Sequence, residues 1–198
     1  MANWKLPSDR KSFALVTVVT LLRVPVSLAF AGVVVGLDPS NWFVIAGLLL
    51  MLTVMEVSDG LDGYLARSRG VQTEWGAMLD PYSDSVSRLI VYFSLAVAGL
   101  IHPVVPLIMA FRDVTVAYCR ILMTRSGQSV AAKTSGKIKA VVQGVGAYVA
   151  VLGGLYLPLT GSWPIWVNSV LVGGVTLWSI GQYAQGALQS VRGGGTAS

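Results

Sequence analysis

Four aspartates lie between positions 59 and 84 of the chain: Asp59, Asp62, Asp80 and Asp84. Carboxylates this close together repel one another unless some keep a proton or cations bind between them. All-oxygen ligands suit hard divalent cations such as Mg²⁺ or Mn²⁺. Two such ions sharing carboxylates form a centre for phosphoryl transfer. The cluster therefore predicts a site for two divalent cations.

Helical spacing places these aspartates on two helix faces, each of which also carries small residues. The first face consists of Asp59, Asp62, Gly63 and Ala66, and the second of Gly76, Asp80, Asp84 and Arg88. Because the connection over 67–75 is short, we expect two antiparallel neighbouring helices whose acidic faces meet. The small residues leave room there for a bulky substrate.

Two other interpretations of the aspartates compete with a metal site. They could be buried structural residues paired with Arg67, Arg69 and Arg88, but a purely structural protein would not need so costly a cluster. They could be ion ligands of a cation transporter. A transporter needs a polar path through both leaflets, whereas these acids cluster toward one side.

A second group of charged residues lies further along the chain, and it could bind an anion. It comprises Arg112, Arg120, Lys137 and Lys139. Together these side chains could hold the phosphate of a phosphorylated alcohol. Alternatively, Arg112 balances the acidic pocket, and the lysines anchor the chain at the membrane surface. Arg23, in the first apolar stretch, either contacts a lipid or substrate phosphate or snorkels to the interface.

The elements that must carry these residues are apolar enough for a bilayer. Hydrophobic residues make up 54% of the chain and charged residues 12%, against about 25% charged in soluble domains. Six stretches approach the roughly 20 residues of a membrane span: 14–36, 42–64, 77–101, 103–124, 138–158 and 164–187. We expect an all-α integral membrane protein with six transmembrane helices, forming one domain over 1–198. Residues 1–13 form a short surface segment and 193–198 a flexible tail.

Lysine and arginine predict the orientation. The connections at 37–41, 102 and 159–163 contain none, whereas the opposite side is basic. By the positive-inside rule, both termini and the acidic cluster lie on the cytoplasmic side of the inner membrane. The net charge of +5 indicates attraction to anionic lipids and substrates. Nucleic acid is not indicated, because the charges lie at the membrane rather than on a free basic domain.

The segment from Asp59 to Asp84 resembles the signature of the CDP-alcohol phosphotransferase family. The sequence Asp59-Gly-Leu-Asp62-Gly63-Tyr-Leu-Ala66-Arg67 is followed, after eight residues, by Gly76-x-x-x-Asp80-x-x-x-Asp84. Every fixed position of D-x-x-D-G-x-x-A-R-x₈-G-x-x-x-D-x-x-x-D matches. The resemblance implies transfer of a phosphatidyl group from CDP-diacylglycerol to an alcohol, with two Mg²⁺ or Mn²⁺ ions, in a homodimer.

The resemblance also implies roles for single residues. Asp59, Asp62, Asp80 and Asp84 would ligate the metals, and Asp84 would also act as general base. Nucleotide contacts would come from Asp59, Gly63, Ala66, Arg67 and Gly76. The basic group and the Thr17-Val-Val-Thr20-Leu-Leu-Arg23 opening resemble the phosphatidylglycerophosphate synthase branch. That branch uses sn-glycerol 3-phosphate as acceptor; inositol phosphate, the acceptor of phosphatidylinositol phosphate synthases, remains the alternative. Thr20 and Arg23 would contact lipid or phosphate.

Overall fold

A computed structural model describes residues 10–38, 41–68, 74–125, 134–160 and 162–193. Six α-helices account for nearly all of them: α1 (Arg10–Gly36), α2 (Trp42–Ser68), α3 (Glu74–Val97), α4 (Val104–Arg125), α5 (Thr134–Thr160) and α6 (Trp163–Gly193). The predicted all-α class and the number of helices are therefore confirmed. The shortest helix, α4, has 22 residues and is about 33 Å long, enough to match a bilayer core.

Three helices are both long and apolar enough to cross a membrane within the described ranges. Their apolar spans are Phe13–Gly36, Trp42–Leu61 and Trp163–Leu188. The spans predicted on α3 and α4 carry several charged residues, which lower their mean hydropathy. The prediction of an integral membrane protein is confirmed at this level, and the count of six spans stays a prediction.

The outward faces of the helices are apolar, as a lipid-facing surface requires. Phe43 on α2, Leu107 and Phe111 on α4 and Val170 on α6 are all strongly exposed. Buried positions, by contrast, include many serines, threonines and other polar residues. This inside-out distribution is typical of helix bundles in membranes, where hydrogen bonds between helices join packing as a source of association.

The chain divides into two compact units, Met1–Ala98 and Gly99–Ser198. The second unit begins at Gly99, which has a φ of 72° in the turn after α3. Glycine adopts this left-handed conformation without the steric cost that a Cβ brings. The prediction of a single domain is not tested by this division.

In the first unit, α1 packs against both α2 and α3. Helical spacing predicts instead that the acidic faces of α2 and α3 meet by packing directly on each other. Among the described residues, the first helix of the chain takes the central place, and long side chains complete the connection. Sequence periodicity could not reveal this, because α1 is apolar nearly all round and shows no preferred face.

In the second unit, α6 packs against both α4 and α5. Buried polar pairs fix its register. Asn168 of α6 donates to the Gly146 carbonyl of α5 at 2.9 Å, and Gln143 of α5 donates to the Thr176 hydroxyl of α6 at 3.1 Å. The last helix therefore organises this unit as the first helix organises the other.

Both predicted terminal segments lie largely outside the described residues. α1 begins at Arg10, so the last residues of the predicted surface segment 1–13 are helical, and 1–9 are not described. α6 ends at Gly193, the first residue of the predicted tail, and 194–198 are not described. Neither prediction is tested further.

Candidate functional site

Three of the four clustered aspartates converge on one arginine of α1. Arg23 donates through Nη1 to Asp59 Oδ1 at 2.5 Å and through Nη2 to Asp80 Oδ1 at 2.8 Å. Its Nη1 also lies 3.9 Å from Asp84 Oδ1. Asp59 belongs to α2, whereas Asp80 and Asp84 belong to α3. The guanidinium therefore gathers the acidic faces of two helices at one point.

The position of Arg23 is fixed by the packing of α1. The residue is only 2% exposed, and its Nε also lies 3.4 Å from the Thr20 carbonyl. Ser83 of α3 donates to the same carbonyl at 2.6 Å, and Ser58 of α2 donates to the Val19 carbonyl at 3.4 Å. These serines lock the register of α1 against both acidic helices at the level of Arg23.

A second arginine extends the network on the other side of Asp84. Arg88 donates through Nε to Asp84 Oδ1 at 2.6 Å, one helical turn away on α3. Its Nη2 lies 3.4 Å from Glu56 Oε1 of α2. Glu56, Arg88, Asp84 and Arg23 thus form a continuous alternation of charges across three helices. The predicted place of Arg88 on the acidic face is confirmed.

The carboxylates remain reachable although the arginines are buried. The side chain of Asp80 is 55% exposed and that of Asp59 is 42% exposed, against 27% for Asp84. Asp84 is therefore the most enclosed of the three, with an arginine on either side. A charged substrate or ion can reach Asp59 and Asp80 directly.

The donor set matches the predicted divalent cations in kind. Carboxylate oxygens from two helices reach a single cationic group, and oxygen is the ligand that Mg²⁺ and Mn²⁺ prefer. Among the side chains that the structure describes, no group of three His, Cys, Asp or Glu is close enough together to hold a metal ion. The side chain of Asp62, the fourth predicted ligand, lies outside the described set.

The predicted nucleotide contacts are described only in part. Gly63 lies on α2, four residues after Asp59 and on the same face. The side chains of Ala66 and Arg67 and the surroundings of Gly76 fall outside the described residues, so their roles stay predictions. Thr20 is buried, and its hydroxyl donates to the Val16 carbonyl at 3.0 Å. The structure thus gives Thr20 a part in helix packing, and its contact with lipid stays a prediction.

The two sequence-based alternatives for Arg23 were a phosphate contact and snorkelling to the interface. In the structure its guanidinium is buried among carboxylates of α2 and α3, and its depth relative to the membrane interface is not tested. A phosphate contact stays a prediction.

The second unit contains a buried basic cluster. Arg112 of α4 donates through Nη1 to the neighbouring Asp113 Oδ1 at 2.7 Å and through Nη2 to Ser179 Oγ of α6 at 3.3 Å. Lys139 of α5 reaches the same Asp113 oxygen at 3.6 Å. Arg112 is 7% exposed and Lys139 is 4% exposed. Two predicted anion-binding residues are therefore brought together from different helices.

Arg120 joins this cluster through an aromatic ring. Its guanidinium carbon lies 5.7 Å from the centre of the Tyr183 ring, and that of Arg112 lies 5.5 Å from the same centre. Both distances are within the range of cation–π attraction. Lys137, the fourth predicted member, is exposed on α5. The structure thus gathers Arg112, Arg120 and Lys139, and it does not bury Lys137 with them.

The basic cluster keeps an excess of positive charge within its unit. Asp113 is the single acidic residue between position 99 and the C-terminus, a stretch that contains seven lysines and arginines. Asp113 contacts two of the three buried or half-buried cations, Arg112 and Lys139, so the charges of the unit sum to a positive value. Buried charges are expensive unless paired, and such an excess favours binding of an anion.

Two members of these clusters escaped the sequence analysis. Glu56 precedes Asp59 by three residues and continues the acidic face of α2, so helical spacing could have included it. Tyr183 gave no signal, because a tyrosine in an apolar helix is ordinarily a packing residue. Its role depends on contacts with α4 that no spacing within α6 encodes.

Comparison with known proteins agrees with the acidic signature. The family model for CDP-alcohol phosphatidyltransferase matches residues 13–178. A probable phosphatidylglycerophosphate synthase from Mycobacterium tuberculosis is 33% identical over 116 residues, covering 59% of this chain and 52% of that protein. The chain therefore spans about half the length of this relative.

Two further bacterial relatives carry the name CDP-diacylglycerol–glycerol-3-phosphate 3-phosphatidyltransferase. The one from Escherichia coli K12 is 31% identical over 182 residues, which is 88% of this chain and 95% of that protein. The one from Mycoplasma genitalium is 31% identical over 151 residues, covering 74% and 62%. The family match includes α1 to α5 and the first half of α6, and with it all three aspartates that meet at Arg23. The chain belongs to the CDP-alcohol phosphatidyltransferase family.

Proposed function

We propose that this protein transfers the phosphatidyl group of CDP-diacylglycerol to sn-glycerol 3-phosphate, forming phosphatidylglycerophosphate and CMP. The observation that carries the proposal is the convergence of Asp59, Asp80 and Asp84 on one point from two helices. These are aspartates of the family signature. The choice of sn-glycerol 3-phosphate as acceptor is supported by the names of the three relatives.

In the proposed reaction, the acceptor hydroxyl oxygen attacks the phosphorus that carries the diacylglycerol. A new phosphorus–oxygen bond forms, and the bond from this phosphorus to the bridging oxygen of CMP breaks. The hydroxyl proton passes to the Asp84 carboxylate, and CMP leaves with the bridging oxygen. Asp84 suits the role of general base because Arg88 fixes its orientation from one turn away, and a positioned carboxylate is an effective proton acceptor.

Asp59, Asp62, Asp80 and Asp84 would hold two Mg²⁺ or Mn²⁺ ions. When bound, such ions neutralise and polarise a diphosphate. Gly63, Ala66 and Gly76 would leave space for the nucleotide, and Arg67 would reach its phosphates. Arg23 and Arg88 keep the carboxylates oriented, so that the ligand oxygens are already gathered before a substrate arrives.

The basic cluster would bind the phosphate of the acceptor. Arg112, Arg120 and Lys139 supply the buried positive charge, and Lys137 would approach from the exposed side of α5. Guanidinium groups match the oxygens of a phosphomonoester in geometry as well as in charge. An inositol phosphate carries the same group, so the cluster would accommodate it as well, and a transfer assay must include it.

In the membrane, the protein would place both termini and the carboxylates on the cytoplasmic side. The basic connections expected from the sequence support this orientation. The phosphorylated alcohol is polar and would arrive from the cytoplasm, whereas CDP-diacylglycerol would enter from the lipid and present its nucleotide head group at the cytoplasmic surface, where CMP is released. We also propose a homodimer, as the family resemblance implies.

The experiment that tests the function is a transfer assay on the purified protein in lipid nanodiscs. Labelled CDP-diacylglycerol is offered with Mg²⁺ and, separately, with sn-glycerol 3-phosphate, inositol phosphate, serine or inositol. We expect phosphatidylglycerophosphate and one CMP per product with sn-glycerol 3-phosphate. If product forms only with inositol phosphate, the acceptor is inositol phosphate rather than sn-glycerol 3-phosphate. Product formed only with serine or inositol would refute the role of the basic cluster.

A further inference from the structure

The basic cluster contains a feature that the proposed reaction does not by itself explain. Two arginines of α4, Arg112 and Arg120, are separated by two helical turns, and both guanidiniums lie within 6 Å of the ring centre of Tyr183 on α6. Tyr183 is 1% exposed. A buried aromatic ring therefore lies beside two groups of the same charge.

Like charges repel, so something must keep the two guanidiniums near each other. Asp113 contacts Arg112 at 2.7 Å and Lys139 at 3.6 Å, and no other acidic residue exists in the second half of the chain. The face of an aromatic ring carries partial negative charge, which attracts cations without neutralising them. Tyr183 can thus attract both arginines without neutralising their charge.

The ring itself is rigidly held. Tyr183 belongs to a buried apolar cluster with Val116, Cys119, Met123 and Ala187. Its hydroxyl lies over the backbone of Gly136 on α5, where an added Cβ would come within 3.2 Å of Tyr183 Oη and 3.9 Å of Arg112 Nη2. Glycine at this position therefore makes room for the tyrosine and for Arg112. Side chains of α4 and α6 fix the ring from one side, and the backbone of α5 limits it from the other.

We propose that Tyr183 is a positioning residue for acceptor recognition. Its ring holds Arg112 and Arg120 at the spacing needed to bind a phosphomonoester. The proposal rests on the proposed function of the basic cluster and deepens it. It makes the preference for a phosphorylated alcohol depend on the electron density of an aromatic ring that lies behind the cations.

The first test compares Tyr183→Phe with Tyr183→Leu. Phenylalanine keeps the ring face, whereas leucine keeps an apolar side chain without it. We expect Tyr183→Leu to weaken binding of sn-glycerol 3-phosphate roughly tenfold and Tyr183→Phe to leave it within about twofold, since only the ring face attracts the cations. Binding is measured by calorimetry on the full protein in nanodiscs, without CDP-diacylglycerol, and glycerol serves as the uncharged ligand.

Kinetics separate positioning from a merely structural role. In Tyr183→Leu the KM for sn-glycerol 3-phosphate should rise while the KM for CDP-diacylglycerol stays unchanged. Tyr148→Leu, the same substitution on α5 and away from the described contacts of the cluster, is the matched control and should change neither. If both KM values rise together in Tyr183→Leu, or if neither changes, the positioning role is refuted.

A second series covers the case in which leucine prevents folding. Phenylalanine with one, two or three ring fluorines, incorporated at position 183, keeps the shape of the ring and withdraws electron density from its face step by step. We expect acceptor affinity to fall with each added fluorine, because the cation–π attraction weakens. Equal affinity across the series would refute the proposal and leave the basic cluster intact.

The same measurements separate the role of the basic cluster from that of the ring. If the unsubstituted protein binds none of sn-glycerol 3-phosphate, inositol phosphate and inorganic phosphate, the basic cluster is not an anion site, and the role of Tyr183 falls with it. If the unsubstituted protein binds one of them and the fluorinated series does not weaken it, only the role of Tyr183 is wrong.

Discussion

Arg23 contacts carboxylates from two other helices, and the choice of arginine over lysine follows from its shape. Its planar guanidinium donates from Nη1 and Nη2 to two separate aspartates, which a single ammonium group cannot do in the same geometry. Charge-assisted hydrogen bonds of this kind are shorter and stronger than neutral ones. The acidic site is therefore preorganised by a cation that belongs to the chain.

Removing that cation should destabilise the first unit. We expect Arg23→Gln to lower the free energy of unfolding by about 1–3 kcal/mol, because Asp59 and Asp80 lose a buried, hydrogen-bonded partner. Thermal unfolding in detergent with a chelator measures the effect. The stability of Arg23→Lys should lie between those of Arg23→Gln and the unsubstituted protein. Lys137→Gln removes an exposed cation, and its free energy of unfolding should be close to that of the unsubstituted protein. An Arg23→Gln protein as stable as the unsubstituted one would show that the ion pairs contribute nothing net.

Asp80 is the most exposed of the three aspartates that meet at Arg23, and it is a predicted metal ligand. We expect Asp80→Asn to reduce CMP release by more than about 100-fold, because an amide is a poor ligand for a hard cation and removes a negative charge from the site. The melting temperature should stay within a few degrees. Asp38→Asn, outside the helices, is the matched control and should keep full activity. Undiminished turnover in Asp80→Asn would refute the metal-ligand role.

At the scale of elements, α1 and α6 have equivalent places as the helix against which the other two of their unit pack. This arrangement makes the small buried hydroxyls important, because they set the register between neighbours that are otherwise uniformly apolar. Ser83 is fully buried and links α3 to α1 at the turn that carries Arg23. A shift of α1 at this point would move the guanidinium away from its aspartates.

A larger side chain at position 83 should therefore shift α1 relative to α3 and move Arg23 away from the aspartates. We expect Ser83→Leu to destabilise the protein by about 1–3 kcal/mol through overpacking and to reduce CMP release at least about tenfold. Ser85→Leu, two residues away and less buried, should have a smaller effect on both. The two variants are compared by thermal unfolding and by the transfer assay. Equal activities would show that the register of α1 does not control the carboxylates.

Glycines on α5 give a matched pair for the second unit. A Cβ at Gly136 would meet Tyr183 Oη at 3.2 Å, whereas a Cβ at Gly153 would meet nothing within 4 Å. We expect Gly136→Ala to raise the KM for sn-glycerol 3-phosphate several-fold by displacing the ring. Gly153→Ala should leave the KM unchanged and could only stabilise its helix, by up to about 1 kcal/mol. Identical KM values in the two variants would show that the ring of Tyr183 can be displaced without weakening acceptor binding.

For the molecule as a whole, the sequence predicted the class, the six helices and most members of both clusters, because these depend on local signals; Glu56 and Tyr183 were missed, and Lys137 is exposed. Apolar length marks helices, and helical spacing marks faces, so Asp59 could be assigned to one acidic face and Asp80 and Asp84 to another, and the short connection between α2 and α3 indicated that the two faces meet. The central place of α1 and the ring of Tyr183 could not, since both depend on contacts between residues far apart in the chain. Arg23 illustrates the limit: its type and position stand out in the sequence, but its partners lie on α2 and α3.

The proposed orientation can be tested on the whole chain with single cysteines. In a Cys119→Ser background, we expect Asp38→Cys, in the turn before α2, to react with a membrane-impermeant maleimide added to intact cells. Ser68→Cys, at the other end of α2, should react only after the cells are opened, because the basic side faces the cytoplasm. The reverse pattern would invert the topology and place the carboxylates outside.

The central place of α1 also bears on how the protein is made. Arg23 is 36 residues ahead of Asp59 and 57 ahead of Asp80 in the chain. At synthesis rates of about 5–20 residues per second, the guanidinium emerges roughly 2–11 s before these partners. A lone arginine in a membrane helix costs up to about 2.5–3.5 kcal/mol on insertion, the upper range applying at the helix centre. Until α2 brings Asp59 and α3 brings Asp80, the guanidinium lacks these two carboxylates, so we expect insertion of α1 to be less favourable alone than together with the helices that follow it.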